Sequence, residues 1–419
     1  MRILCHITIL VWVIAFLFAP TLRAQLSDSD SLKKTAPRVF IDCISCDMDY
    51  FRTEITFVNH VRDRKDAQVH VLITTQSTGS GGTEYTLTFS GQEQFAGDDN
   101  ILKHVSGKTD TPDEIRSGLA KVLKIGLVSY AAKTPITSRI SVSYQDKSKP
   151  TSVDDKWNFW VFSLSARGYF EGEQSSRYYS MNGSVSANRV TPTFKFRSSY
   201  SANKSGDKFY LDEGAIISTS KSQNLFLLGV KSINEHWSAG AGLNAYTSTY
   251  SNVKFAIKPA PAIEYNFFPY SESTRRQLRV LWKPGFNYYR YFEETIYDKT
   301  AEGHWGETFS VALELKEKWG TITNAFEAFH YFNDLQQNHL QLYSEVSVRL
   351  FKGLSLSLYG NLTRVRDQLS LKKGEASIEE VLLRRTQLAT GYSYFFQIGL
   401  SYTFGSIFSN VVNPRFNGY

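Results

Sequence analysis

From Asn158 to Phe404 the sequence runs as a series of segments in which every second residue is apolar. A period of two is the period of a β-strand, whose successive side chains point to opposite faces. In residues 387–404 one face collects Leu388, Tyr392, Tyr394, Phe396, Ile398, Leu400, Tyr402 and Phe404. The other collects Gln387, Gly391, Ser393, Gln397, Gly399, Ser401 and Thr403, with Phe395 the one bulky exception. Soluble strands usually end after about five or six residues. A strand lying between lipid and a polar interior needs both this length and this alternation.

The pattern recurs. Val253, Phe255, Ile257, Ile263, Tyr265 and Phe267 alternate with Lys254, Lys258, Glu264 and Asn266. Leu340, Leu342, Val346, Val348 and Leu350 alternate with Gln341, Glu345 and Arg349. About twelve strands are expected, near 158–171, 175–189, 191–203, 222–234, 236–249, 252–269, 275–292, 306–319, 320–332, 339–351, 354–368 and 384–404. The turns sort by length. Those after even-numbered strands are short, as at Val190-Thr191, Asn234-Glu235, Trp319-Gly320 and 351–353, while 204–221, 293–305 and 369–383 read as long loops on the opposite side. Pro259 and Pro261 share one strand and predict a bulge or break in its ladder. A β-sandwich or solenoid is the alternative, but no repeat of fixed period is present. The expected fold is therefore an all-β transmembrane barrel over 158–404.

The N-terminus indicates where such a barrel would sit. Arg2, the apolar run Ile7–Phe18, Pro20 and Ala24 have the order of a secretory leader, here 1–24. The run is short for a helix that spans a bilayer. Removing Arg2 and Arg23 with a leader that carries no acid takes the net charge from +7 to +5. The basic residues are scattered, which argues against a nucleic-acid partner. The 24 Tyr and 29 Phe, without apolar helices, suit the aromatic girdles of an outer-membrane barrel.

A polar segment, 25–37, is expected to be flexible. Residues 38–133 read as a small periplasmic α+β domain, β-α-β-β-α. Its elements are a strand at Val39–Ile41, a helix over 47–61, strands through Val69–Thr75 and Tyr85–Phe89, and a final helix. Thr111, Pro112 and Glu114 form a capping box at the start of that helix. Residues 134–157 read as a linker, and 405–419 as a periplasmic tail that plugs the barrel or packs on the small domain.

Several motifs carry candidate chemistry. Cys43 and Cys46 lie between a strand and a helix, where a redox pair can sit, but a structural disulfide fits the element order better. No metal site is expected, because His60 and His70 lack ligand-like spacing to these thiols. The Gly-rich stretch 79–82 and Asp98-Asp99-Asn100 read as turns rather than phosphate or calcium loops. No cofactor is expected. His236-Trp237-Ser238 resembles the H-x-S element of outer-membrane phospholipase barrels, which implies a lipid hydrolase; the strand register places it at the periplasmic end, with both side chains directed into the lumen and no obvious carboxamide partner.

The expected lumen-lining set is Arg167, Lys195, Arg197, Lys231, Lys254, Lys258, Glu264, Arg279, Lys283, Glu314, Lys316, Glu345 and Arg349, with Glu171 and Glu327. Mixed charge of this density can fill a narrow lumen with ion pairs, or favour anions if a pore is open. The leading expectation is a non-enzymatic envelope scaffold or assembly component. A mildly anion-favouring channel and the hydrolase are the alternatives. Partners are then outer-membrane lipid, the barrel-assembly machinery during insertion, and a periplasmic protein bound through 38–133.

Five stretches carry a wider resemblance: Asp47–Glu54, Phe268–Gln277, Arg384–Thr390, Ser401–Phe408 and Asn413–Phe416. On these the chain resembles a family of uncharacterised Gram-negative outer-membrane β-barrel proteins with an N-terminal periplasmic α+β domain. The resemblance implies location and architecture and implies no activity.

Overall fold

The computed structural model describes residues 33–79, 81–143, 157–211, 214–374, 386–410 and 415. The proposed leader, 25–32 of the polar segment, 144–156 of the linker and parts of the last loop and the tail lie outside them.

The N-terminal unit is a five-stranded mixed sheet in the order β2-β1-β3-β4-β5. Its strands are β1 (Arg38–Asp42), β2 (Asn59–His60), β3 (Val69–Ser77), β4 (Thr83–Gly91) and β5 (Asn100–Ser106). Helix α1 (Met48–Glu54) follows β1, and α2 (Pro112–Ala131) covers one face. The capping box forms as expected: the Glu114 amide donates to Thr111 Oγ1 and the Thr111 amide donates to Glu114 Oε2. One apolar stripe of α2, Leu119, Leu123 and Leu127, is buried against Val69, Val71, Leu87 and Phe89. Gly126 is required there, because a Cβ at that position would lie 2.2 Å from Phe89 Cζ.

Three expectations for this unit change. The first helix ends at Glu54 rather than running to Val61. Phe51, Ile55 and Val58 stay in one core, but 59–61 turn to pair with β1. Strand β5 is additional. Two of its three apolar residues, Ile101 and Val105, are exposed while Leu102 packs on the core, so alternation gives the wrong inner face. The start of the linker is also structured: Pro135–Arg139 is a short 3₁₀ turn whose Ile136 is buried with Ala36 and Ala131.

The second unit is a twelve-stranded antiparallel meander, β6 to β17, each strand paired with its neighbours in sequence. The strands are β6 (Trp160–Gly172), β7 (Ser176–Val190), β8 (Phe194–Leu211), β9 (Gly214–Ser232), β10 (Trp237–Ser248) and β11 (Val253–Asn266). They continue as β12 (Arg276–Tyr291), β13 (Ala301–Glu317), β14 (Gly320–Tyr331), β15 (Asp334–Phe351), β16 (Leu354–Val365) and β17 (Tyr392–Tyr402). Each of the twelve expected segments contains a strand, but the last begins at Tyr392 rather than at 384, so Leu388 lies before it. No ladder joins β6 to β17 among the described residues, so the sheet is open along that edge.

Two expected long loops shrink. The β8–β9 ladder continues to Leu211↔Gly214, so 204–211 and 214–221 are strand rather than loop. Backbone pairing does not need the apolar alternation that stops near residue 203. Likewise β13 begins at Ala301, within the expected loop 293–305. Around the proline pair, β11 pairs with β12 at Ile257↔Tyr288 and again at Ile263↔Trp282, with no ladder between. The register is unchanged across this break.

Candidate functional site

Both units meet at the end of the large sheet that carries the short turns. There Asp42, the last residue of β1, accepts two hydrogen bonds from Arg349 at the end of β15, at 2.5 and 2.7 Å. The bidentate geometry is the strongest that a carboxylate and a guanidinium form. The Arg349 guanidinium also lies 5.2 Å from the Phe40 ring, and His70 Nε2 is 3.3 Å from Asp42 Oδ2. Burial pushes the Asp42 carboxyl up, but the hydrogen bonds and charges of Arg349 and His70 outweigh it and hold it at about 2. Beside this pair the Gly353 amide donates to Asp63 and Lys352 pairs with Asp66.

The tail completes the junction. Residues after β17 run along the open edge of β2: Arg62 N–H donates to Ile407 O, and Ser409 N–H donates to His60 O, at 2.9 and 2.8 Å. Val61 and Phe408 form an antiparallel bridge. The tail thus packs on the small domain, one of its two expected fates. On the far side of the same domain, the β3–β4 hairpin tip reaches the β7–β8 turn. A Cβ at Gly79 would lie 2.7 Å from Val190 Cβ.

The opposite end is crossed by a strap. After β16, residues 366–373 pass over to the turns before β11 and β13. Asn252 Nδ2 donates to Ser370 O, Ile296 N–H donates to Leu371 O, and Thr295 bridges Lys372. Beneath the strap Leu369 packs with Val253, Ala256, Tyr289, Tyr291 and Tyr331. The Tyr289 and Tyr331 hydroxyls are 3.0 Å apart.

Between the domain and the strap lies a cavity of about 1030 Å³, lined by residues of β8 to β15 and by Gln76 and Asp367. Its face is fixed by register. Ser238 lies opposite Glu264 and Ser232, and Asn244 lies opposite Lys258. Of the expected inward residues, Lys195, Lys258, Glu264, Arg279 and Lys283 line it, as does Glu327. Arg167, Arg197, Glu314, Lys316, Glu345 and Arg349 share the same face by register, as does Glu171, and Arg279 pairs with Glu314 at 3.0 Å.

Two expected members do not belong. Lys231 is exposed and lies opposite Ala239, on the convex face; the strand reads polar there because its inward residues, Leu228 and Val230, are apolar. Lys254 falls in a bulge between Val253↔Tyr291 and Phe255↔Arg290, which buries Val253 and exposes Lys254.

The remaining motifs have structural partners. Cys43 and Cys46 form a disulfide between β1 and α1. Asp98 pairs with Lys133, and Asp99 accepts the Gly91 amide. His236 and Ser238 do not meet. His236 Nδ1 contacts Asn266 O and its ring stacks on Tyr265, while Ser238 Oγ contacts the Tyr270 hydroxyl on the cavity face. The expectation that both side chains enter the interior is therefore corrected for His236.

The strap and the Asp42–Arg349 junction are invisible to strand alternation. Only the inward parity of Arg349 near the end of its strand hinted at the second. No protein-family model and no curated protein matches the sequence.

Proposed function

We propose that the chain is an integral outer-membrane β-barrel whose N-terminal module docks across its periplasmic mouth, acting as a non-enzymatic docking or assembly component of the envelope. The convex face of the sheet supports the membrane reading. Leu164, Tyr394, Phe396, Ile398 and Leu400 are each more than half exposed there. Soluble monomers rarely display apolar surface on that scale. Aromatic pairs mark both borders of this band, with Trp237–Tyr265 and Tyr402–Phe404 at the domain end and Phe286–Trp305 at the other. In hydrocarbon an unpaired strand edge leaves backbone groups unsatisfied at several kcal/mol each, so β6 and β17 are expected to join.

The observation that favours a docking component over a pore is that both ends of the interior carry a covering segment. The domain stands at one end of the cavity, and the strap with its tyrosine cluster at the other. Two measurements test this reading. The purified chain is expected to need detergent and to change gel mobility on heating, and staying soluble without detergent would sink the barrel. In planar bilayers it is expected to show no steady conductance. A steady anion-favouring pore, altered by Lys258→Glu, would instead establish the channel reading.

A further inference from the structure

We infer that the proline-interrupted seam between β11 and β12 is a lateral gate through which the cavity takes up an acyl-chain amphiphile with an anionic head. This rests on the barrel reading above.

The seam is interrupted for a chemical reason. The Phe267 amide donates to Leu278 O while the Asn266 amide donates to His236 O, so odd-numbered residues of β11 aim their N–H at β12. The Leu278 amide, donating to Asn266 Oδ1, shows that even-numbered residues of β12 aim theirs at β11. The register that holds on both sides of the break sets Pro261 opposite Pro284, and Pro259 opposite Phe286. At the first of these pairs neither residue has an N–H, and at the second one of two is missing. Three of the four donors that would zip this stretch are absent from the sequence itself. The strands nevertheless stay in touch, since a Cβ at Gly285 would lie 2.8 Å from Pro259 O and 2.9 Å from Ala260 Cβ. Only the Phe286 N–H is left to donate across this stretch, so the seam is held mainly by van der Waals contact, which opens at far lower cost than a hydrogen-bonded ladder.

Behind the seam is the cavity. Ala260, Ala262 and Gly285 line it from the interrupted stretch, and these small side chains leave its entrance clear. Leu228, Val230, Leu281 and Phe329 supply apolar wall. Lys258 and Lys283 stand at the two ends of the break on the same face, opposite Asn287 and Ala262 in the register. Among the described residues neither ammonium has a carboxylate within 4.0 Å, and Lys258 lies 5.0 Å from the Tyr289 ring and 5.4 Å from the Tyr246 ring. Two cations with no carboxylate in contact, Asp367 on the same cavity lying beyond pairing distance of Lys258, stand beside an apolar wall and suit an anionic head on an apolar chain. The volume is at the upper end of the roughly 300–1,000 Å³ that holds one small ligand.

The test uses the full chain reconstituted in phosphatidylcholine vesicles, with palmitate as the probe and hexadecanol as its neutral counterpart. Wild type is expected to bind palmitate at one site. Lys258→Ala and Lys283→Ala should each weaken palmitate about tenfold, as loss of one charge-assisted contact does, and leave hexadecanol unchanged. A Pro261→Cys, Pro284→Cys pair, oxidised to bridge the seam, should slow palmitate entry by at least about tenfold until reduced, as a closed gate does. No palmitate binding, equal effects on both probes, or entry unaffected by the bridge would overturn the inference. Heat-modifiable mobility of the same samples separates the two failures: mobility kept with binding absent sinks the gate alone, and mobility lost sinks the barrel.

Discussion

At the residue scale the junction turns on Asp42. Its carboxyl is held at about 2, against an ordinary value of 3.8, by Arg349 and His70 against the opposing effect of burial. The depressed value means the contribution is complete above pH 4 and is lost as pH falls from about 4 to about 2; the shift corresponds to about 2 kcal/mol. A double-mutant cycle on Asp42→Ala and Arg349→Ala, followed by denaturant unfolding of the domain, should return a coupling of about 1–3 kcal/mol. A coupling near zero would mean that the pair only decorates the junction. Gly126 gives a second test with an unusual sign. Glycine to alanine inside a helix ordinarily stabilises by roughly 1 kcal/mol. Here the new methyl meets the fully buried Phe89 ring, so Gly126→Ala should destabilise the domain by about 1–3 kcal/mol in a urea titration.

At the element scale the twelve strands were legible because each must present one apolar face, and that requirement writes a period of two into the sequence. Where the requirement lapses, legibility lapses with it. The distal halves of β8 and β9 pair Lys204 with Lys221 and Ser205 with Ser220, and such polar ladders look like loop. Strand β5 hides because two of its three apolar residues are exposed, and β2 because two paired residues carry no period at all. The exact edge on which the tail lies was unreadable for a related reason. The tail's partner is a backbone edge, and backbone donors have no residue code. Deleting 405–419 is therefore expected to speed amide exchange at Arg62, whose N–H donates to Ile407 O, and to leave the central strand β3 protected. Equal exchange with and without the tail would show that this edge strand contributes no protection.

At the scale of the whole molecule the interior was half legible. Parity along the strands placed Lys195, Lys258, Glu264, Arg279 and Lys283 on one face, and the cavity collects them. Parity fails at Lys254, where one bulge reverses the faces, and charge misleads at Lys231, on a strand whose cavity side is apolar. The contacts at both ends join segments far apart in the chain, which no local pattern records. Conductance is the corresponding measurement. Deleting 366–374 should admit small ions from the far side only if the domain also lifts, so the strap deletion alone should stay silent while its combination with Arg349→Ala flickers open. Steady current from the strap deletion alone would show that the domain does not seal its end.

The segment lying on β2 also sets an order of events. His60 binds Asn410, a partner made some 350 residues later. The small domain therefore emerges from synthesis before its strand edge can be covered, because among the described residues those that lie on it follow the last strand of the large sheet. An unpaired edge of this kind invites other strands. Throughout that interval the edge is free to pair with another strand, and it is covered only after the final strand has been made.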